Sequence, residues 1–306
     1  MGDPKMKRIA CAIASLLFDN HSRYARLRPT LQALSQDPII AVRTCALSAF
    51  VAALNIARDE AVELFCNACN DCEPICGTHP FARFVHYAVH THYPAIRPLL
   101  QFALASSNSD AIENASREII LADLADIDIG TDALNVRKGN TVMRSTAANV
   151  YGHNLSHKEV GDTCSTRLEE FFNDDDASVR DMVSRAFFNL CGPRLLELKD
   201  MVARYIESKC FESDTDSVLH ALQESNVELP DVICRAAERI LEFIGDEGSD
   251  FSSHSAGAAH FISILIVRQY EQAIDDRLKT KCLDLIDRME RFGYFGINDE
   301  LSKLDR

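Results

Sequence analysis

The sequence predicts an all-α fold made of repeated helix pairs. Alternating Val/Thr patterns typical of strands are not evident along the 306 residues, and glycine and proline number only 12 and 9. Apolar residues recur instead at helical offsets of three, seven and eleven positions. A turn-and-helix motif that returns several times along the chain is the strongest of these observations.

The motif is clearest in two copies, residues 37–43 and residues 174–180. Each copy is an acidic turn followed by Val-Arg at the start of an apolar helix. After each arginine, an apolar residue follows at the third position and a phenylalanine at the seventh, which are Ala46 with Phe50 and Val183 with Phe187. One structural unit copied along the chain predicts such agreement in phase.

Weaker copies of the motif lie between these two. Arg144 is followed by apolar residues at all three offsets, Glu113 keeps the phase without the arginine, and Arg83 is a looser copy with His86 and His90 at the first two offsets. The five steps at 43, 83, 113, 144 and 180 are separated by 40, 30, 31 and 36 residues. Two helices with their turns fit this spacing.

These residues resemble the HEAT-repeat family, whose usual signature is a turn aspartate followed by Val-Arg in the second helix. The resemblance implies an α-solenoid of stacked antiparallel helix pairs. It also implies an arginine ladder, in which the step arginines bond acidic groups of neighbouring units, formed here by Asp37, Arg43, Arg144, Asp174 and Arg180. We expect one array over 1–306, with an edge helix at 1–20, repeats at 21–273 and capping helices at 274–306.

Each helix is predicted from its apolar period and from the turn residues that bound it. In the first half these are 1–18, 23–34, 39–54, 58–69, 80–92, 94–106 and 110–125, followed by a less ordered stretch at 126–140 and a helix at 141–155. In the second half they are 158–172, 177–190, 195–209, 216–224, 230–244, 254–273, 277–292 and 298–304.

The end of the chain carries a second resemblance. Residues 282–289, followed by Gly293-Tyr294-Phe295-Gly296, look like the tail of helical-repeat arrays that close large multidomain prokaryotic proteins, some with a signalling NTPase domain upstream. This resemblance implies that the chain is a C-terminal arm of a longer bacterial protein. Such an arm is expected to act as a sensor or regulatory part, with defence against phage as one setting.

Composition limits the location and the partners. The net charge of −14 argues against nonspecific nucleic-acid binding, which needs cations to displace counterions, and it favours a basic or neutral protein partner. Eleven cysteines predict reduced thiols in the cytoplasm. The apolar run 9–18 copies a signal peptide superficially but leads into a repeat helix, and no segment reaches the length of a membrane span.

One cluster of metal-ligand residue types requires attention. Cys66, Cys69, Cys72 and Cys76, followed by His79, have the spacing of a ferredoxin run, and Cys69 and Cys72 with His86 and His90 have that of a zinc finger. Three interpretations stay open: uncoordinated thiols, a zinc site and an iron–sulfur cluster. The main prediction uses no cofactor and assigns no metal ligand, with a metal-binding regulatory or redox module at 66–76 as the alternative function.

No pattern in the sequence marks an enzyme. A phosphate-binding loop, a nucleophile elbow and a His-Glu-x-x-His helix are missing from the sequence, and none of the 10 histidines precedes a glutamate. His86 and His90 are interpreted as replacements for the apolar residues at repeat positions. The sequence therefore predicts a non-catalytic scaffold that binds a protein partner or other domains of its parent chain.

Overall fold

The computed structural model describes residues 4–190, 192–225, 228–245, 255–294 and 296–304. Within these ranges all regular secondary structure is helical, with no β-strand. The all-α prediction is therefore confirmed. The chain divides into two compact units, Met1–Ala147 and Ala148–Arg306. In the described ranges no helix combines the length and apolarity that crossing a lipid bilayer requires.

The first unit is built around α3, which contacts α1, α2, α4 and α6. The helix α6 in turn contacts α4 and α7, and α7 contacts α8. The helices are α1 (Pro4–Asp19), α2 (Tyr24–Ser35), α3 (Ile40–Ala53), α4 (Arg58–Cys69), α5 (Glu73–Cys76), α6 (His79–Leu104), α7 (Ser109–Leu124), α8 (Asp132–Arg137) and the start of α9 (Thr141–Asn154).

The second unit continues from α9 with α10 (Gly161–Leu168), α11 (Ala177–Arg185), α12 (Pro193–Glu197), α13 (Lys199–Ile206), α14 (Lys209–Ser213), α15 (Asp216–Glu224), α16 (Pro230–Phe243), α17 (Ser255–Gln272), α18 (Asp276–Phe292) and α19 (Ile297–Leu304). Short 3₁₀ turns extend α10 and α11. Within this unit α13 contacts α16, α16 contacts α18, and α15 contacts α17.

Polar turn residues start the helices that follow the repeat turns. The side chain of Asp37 accepts a hydrogen bond from the Ile39 amide at 2.8 Å just before α3. Asn108 and Asp176 do the same at α7 and α11, accepting from the amides two residues later. A side-chain oxygen in this place satisfies an amide that has no partner within the helix, so the turn positions read from the sequence mark true helix starts.

The two helices expected at 80–92 and 94–106 follow each other within α6 and are separated by a kink, because the backbone angles at His92 are not helical. Pro94 lacks an amide hydrogen, which explains the kink without a break. Two other segments differ from the prediction. The stretch 126–140 contains α8, and the single helix expected at 195–209 is divided among α12, α13 and α14.

Stacked aromatic rings fill the core of the first unit. Phe65 of α4 packs face to face on Phe84 of α6, with ring centroids 3.9 Å apart, and its centroid lies 5.5 Å from that of Phe81. All three side chains are fully buried. Because large rings in close contact gain both burial and packing energy, this cluster fixes α4 against α6.

The core of the second unit is organised around Tyr205 of α13. Its ring lies 4.2 Å from that of Phe187 and 6.1 Å from that of Phe211, measured between centroids. Its buried hydroxyl is 2.8 Å from Ser184 Oγ and 3.0 Å from the Asp214 carbonyl oxygen. A buried phenol keeps its polar end satisfied in this way, so the ring can pack in the core.

Burial confirms the phase of the repeat motif at its two clearest copies. The apolar residues at the first two offsets after Arg43 and after Arg180 are completely buried: Ala46, Phe50, Val183 and Phe187. The same holds at Ala147, Tyr151 and Leu155 after Arg144, which are at most 1% exposed. The turn-and-helix pattern therefore identifies core-facing positions correctly in these copies.

Candidate binding groove on the first unit

Three of the step arginines, Arg43, Arg144 and Arg180, donate to backbone carbonyl groups. Arg43 Nη1 donates to the Ala68 carbonyl oxygen at 3.1 Å, which joins α3 to the end of α4. Arg144 Nη1 donates to the Gly139 carbonyl oxygen at 2.6 Å, just before its own helix. Arginine offers several donors in a fixed plane, so one side chain can hold an exposed turn in place.

Arg180 holds its own turn in the same way. Its Nη1 donates to the carbonyl oxygens of Asp174 and Asp175, at 2.8 and 3.0 Å, and its Nε donates to Ser213 Oγ at 3.0 Å. Asp174 Oδ1 accepts a hydrogen bond from the Asp176 amide. Asp37, Arg144 and Asp174 thus bond groups near their own helix starts, whereas Arg43 reaches the end of α4 and Arg180 bonds both its own turn and Ser213. The ladder to acidic groups of neighbouring units stays a prediction.

The cysteine cluster lies mostly in the core. Cys69, Cys72 and Cys76 are buried, Cys66 is half-buried, and His79 is exposed at the start of α6. The Cys76 thiol donates to the Cys72 carbonyl oxygen at 3.7 Å, and burial raises the pKa of Cys76 to about 12. Among the described residues, no three His, Cys, Asp or Glu side chains are arranged to hold a metal ion.

The burial of these thiols predicts their order of chemical modification. We expect iodoacetamide at pH 8 to alkylate Cys66 at least about a hundredfold faster than Cys69 or Cys76, because buried thiols react only after local opening. Burial also raises the pKa of Cys69, which keeps it protonated. Mass spectrometry of peptides from the native chain measures the rates. Equal rates at Cys66 and Cys76 would contradict the buried arrangement, and labelling in urea is the control.

A surface depression on the second unit is lined by ion pairs. Its volume is about 530 Å³. Arg204 forms a forked pair with Glu169 at 2.6 and 2.7 Å, and Arg235 forms another with Glu207. Each charge in the depression therefore has its partner. The pairs join α13 to the short 3₁₀ turn after α10, and the residue that follows α13 to α16. We interpret this place as a structural contact.

A smaller groove on the first unit has a different character. It has a volume of about 240 Å³ and lies between α1, α3, the start of α4 and the first half of α6. Its rim carries two exposed aromatic rings, Phe18 at 50% and Tyr87 at 48% exposure. Two arginines, Arg58 and Arg83, also line it. Of the described residues that form its wall, none is acidic.

Arg58 is held in the groove by α6. Its Nη1 donates to the Tyr87 carbonyl oxygen at 3.0 Å and to Thr91 Oγ1 at 2.9 Å. Both bonds use one nitrogen of the guanidinium group, and among the described residues no other partner takes Nε or Nη2. The side chain is therefore fixed in position with donors left for a ligand.

Arg83 is exposed because the repeat phase in α6 begins one residue earlier than expected. From Ala82, the offsets of three, seven and eleven fall on Val85, Val89 and Tyr93, which are at most 3% exposed. The interpretation of His86 and His90 as replacements for buried apolar residues is wrong, because both are exposed. Arg83 therefore does not bond the backbone of a turn, as Arg144 and Arg180 do. It makes no hydrogen bond or ion pair with any residue that the structure describes.

Two histidines of α6 lie beside carboxylates of neighbouring helices. His86 Nδ1 lies 3.3 Å from Oε2 of Glu118, and the burial of that carboxyl raises its pKa. His92 Nε2 lies 2.7 Å from Asp59 Oδ1. These pairs connect α6 with α7 and α4, so the histidines contribute to packing between helices.

The groove residues were only partly visible in the sequence. The repeat motif identifies Arg83 as a loose repeat arginine, whereas no pattern in the sequence marks Phe18, Arg58 or Tyr87. One signal was available: Arg83 and Tyr87 lie four residues apart, which places them on one face of a helix.

Comparison of the chain with protein-family models, with curated proteins and with solved structures gives no match.

Proposed function

We propose that the chain is a non-catalytic α-solenoid module of HEAT-like helix pairs that binds a protein partner through the groove on its first unit. The observation that carries the proposal is the short separation in sequence between the residues that form ion pairs between helices within each unit. Arrays of this kind contact only neighbouring repeats and offer surface grooves in place of one enclosed active centre.

Five ion pairs between helices show this short separation in sequence. In the first unit, Arg28 with Glu60, His86 with Glu118 and Arg97 with Asp132 join residues 32, 32 and 35 positions apart. In the second unit, Arg204 with Glu169 and Arg235 with Glu207 join residues 35 and 28 positions apart. Four of these five separations fall within the 30 to 40 residues between repeat steps in the sequence, and the fifth, 28, lies just below that range, which supports a stack of helix pairs.

The groove supports binding as the activity of this stack. Tyrosine and arginine are among the residue types that contribute most to the energy of protein–protein contacts. In this groove, exposed tyrosine and arginine side chains line the same depression as apolar residues at the end of α3. A volume of about 240 Å³ lies below the range of about 300–1,000 Å³ that is typical for small-molecule pockets. It suits one or two side chains of a partner.

The wider context of the function is also a proposal. The resemblance of the chain's end to helical arms of prokaryotic signalling NTPases supports a sensor or regulatory arm, with the partner supplied by the parent protein or by another chain. Buried cysteines without disulfide bonds among the described residues support a reducing compartment, and we propose the cytoplasm.

Site-specific photo-crosslinking tests the proposed function. The full chain carries a photoreactive phenylalanine analogue in place of Tyr87, and a control chain carries it in place of Leu196, which is 45% exposed on the second unit. Irradiation in cells of the source organism is expected to attach a discrete protein at Tyr87 and none at Leu196. If neither position nor a further set of exposed positions on α3 and α6 gives a crosslinked protein, the proposed function is wrong.

A further inference from the structure

We propose that the groove of the first unit recognises an acidic peptide segment, with a carboxylate bound by Arg83 and Arg58 and an apolar side chain placed between Phe18 and Tyr87. This inference rests on the proposed function and names the chemistry of the partner. It departs from the sequence-based expectation of a basic or neutral partner, because the charge of the groove differs from that of the whole chain.

Local charge decides which partner the groove accepts. The whole chain carries a net charge of −14, but at physiological ionic strength charges separated by more than about 8 Å are largely screened. A carboxylate inside the groove is close to two guanidinium groups, and none of the described residues that line the groove is acidic. The nearby attraction therefore exceeds the general repulsion.

Two acidic residues next to the groove bond other side chains and not its arginines. Asp59 follows Arg58 in sequence, but its carboxylate bonds His92 Nε2 at 2.7 Å. Asp19 follows Phe18, and its carboxylate bonds Arg23 Nη1 at 2.6 Å. Since both carboxylates are engaged elsewhere, the two groove arginines keep a positive charge without a fixed counter-ion among the described residues.

The aromatic residues add a place for an apolar side chain. Phe18 and Tyr87 are each about half exposed, and Val51 and Leu54, which are buried, form the floor between them. An apolar side chain that enters this space removes ring surface from water. A peptide that carries both an acidic and an apolar residue therefore satisfies the two halves of the groove at once.

Selection from a random peptide phage library on the immobilised full chain tests this inference. We expect enrichment of peptides that combine Asp or Glu with Phe, Leu, Ile or Met. Synthetic peptides from the enriched set, labelled with fluorescein, are then measured by fluorescence polarisation. Affinity is expected to fall by about tenfold or more with Arg83→Glu and with Tyr87→Ala, to change little with Tyr87→Phe, and to weaken as salt is added.

Matched variants control for folding and for general charge. Arg83 and Tyr87 are exposed, and Arg58 bonds the backbone carbonyl of residue 87, so that bond survives Tyr87→Ala. Circular dichroism and thermal unfolding of the variants should match the unchanged chain. Arg26→Glu reverses a charge at an exposed position of α2 and should leave peptide affinity unchanged.

Several outcomes would overturn the inference. Enriched peptides that are basic or uncharged would do so, as would acidic peptides that bind Arg83→Glu and the unchanged chain equally, or no enrichment at all. Salt-sensitive binding of duplex DNA that Arg83→Glu abolishes would assign the groove to nucleic acid instead. Failure of the peptide selection together with a protein crosslinked at Tyr87 would refute the acidic-peptide chemistry and leave the proposed function standing.

Discussion

Replacing Phe65 with alanine is expected to lower the free energy of unfolding by about 4 kcal/mol, because the ring is fully buried and its neighbours cannot close the space it leaves. The ring stacks on Phe84 at a centroid distance of 3.9 Å with an angle of 8° between planes, so the substitution also removes an aromatic contact. Urea denaturation followed by circular dichroism measures the change.

Two variants serve as controls for this result. Phe65→Leu keeps most of the side-chain volume and is expected to cost about 1.5 kcal/mol. Tyr87→Ala removes a ring of similar size that is 48% exposed, and we expect a change within about 0.5 kcal/mol. A loss below about 1 kcal/mol in Phe65→Ala would contradict the close packing of α4 against α6.

Replacing Asp132 with alanine is expected to lower the free energy of unfolding by about 3 kcal/mol. Its side chain is buried and accepts a forked pair from Arg97, at 2.7 and 3.0 Å, and a hydrogen bond from the Tyr93 hydroxyl at 2.6 Å. Without the carboxylate, the buried phenol and the guanidinium lose the partner that fixes α8 against α6. Chemical denaturation at pH 7 measures the loss.

The pH dependence separates this contribution from simple packing. The Arg97 guanidinium and the Tyr93 hydroxyl lower the pKa of Asp132 in the folded state. A lowered folded-state pKa contributes stability above the unfolded pKa of about 4, and this contribution disappears as pH falls through the folded pKa. The difference between the unchanged chain and Asp132→Asn should therefore be largest at neutral pH and shrink below about pH 4. A difference that stays constant down to pH 2 would refute the ion pair.

Local signals in the sequence were sufficient to predict most helices. The bounds of α4 and α15 agree with the prediction at both ends, since polar residues and turns flank a clear apolar period. The segment 126–140 was missed as a helix because α8 has only six residues, too few to show a period. Its Asp132 anchors it through partners more than 30 positions away, and local sequence carries no record of such partners.

The groove was harder to predict than the fold. A shift of one residue in the repeat phase decides whether Arg83 holds a turn or faces solvent, and only the burial of Val85, Val89 and Tyr93 shows the shift. Arg58 and Phe18 belong to other helices, so their approach to Tyr87 depends on packing. The cysteines present the reverse case: their spacing in the sequence is that of known metal sites, but most of these side chains lie in an apolar core.

The short reach of the bonds between helices has a consequence for synthesis on the ribosome. When Arg204 emerges, its partner Glu169, 35 positions earlier, is already available, so this ion pair can form without the rest of the chain. Bonds between residues that lie close in sequence favour rapid folding, and folding can begin from the N-terminal residues. Helices joined by such bonds can therefore make their contacts while later residues are still being translated, which shortens the time for which their apolar faces are exposed.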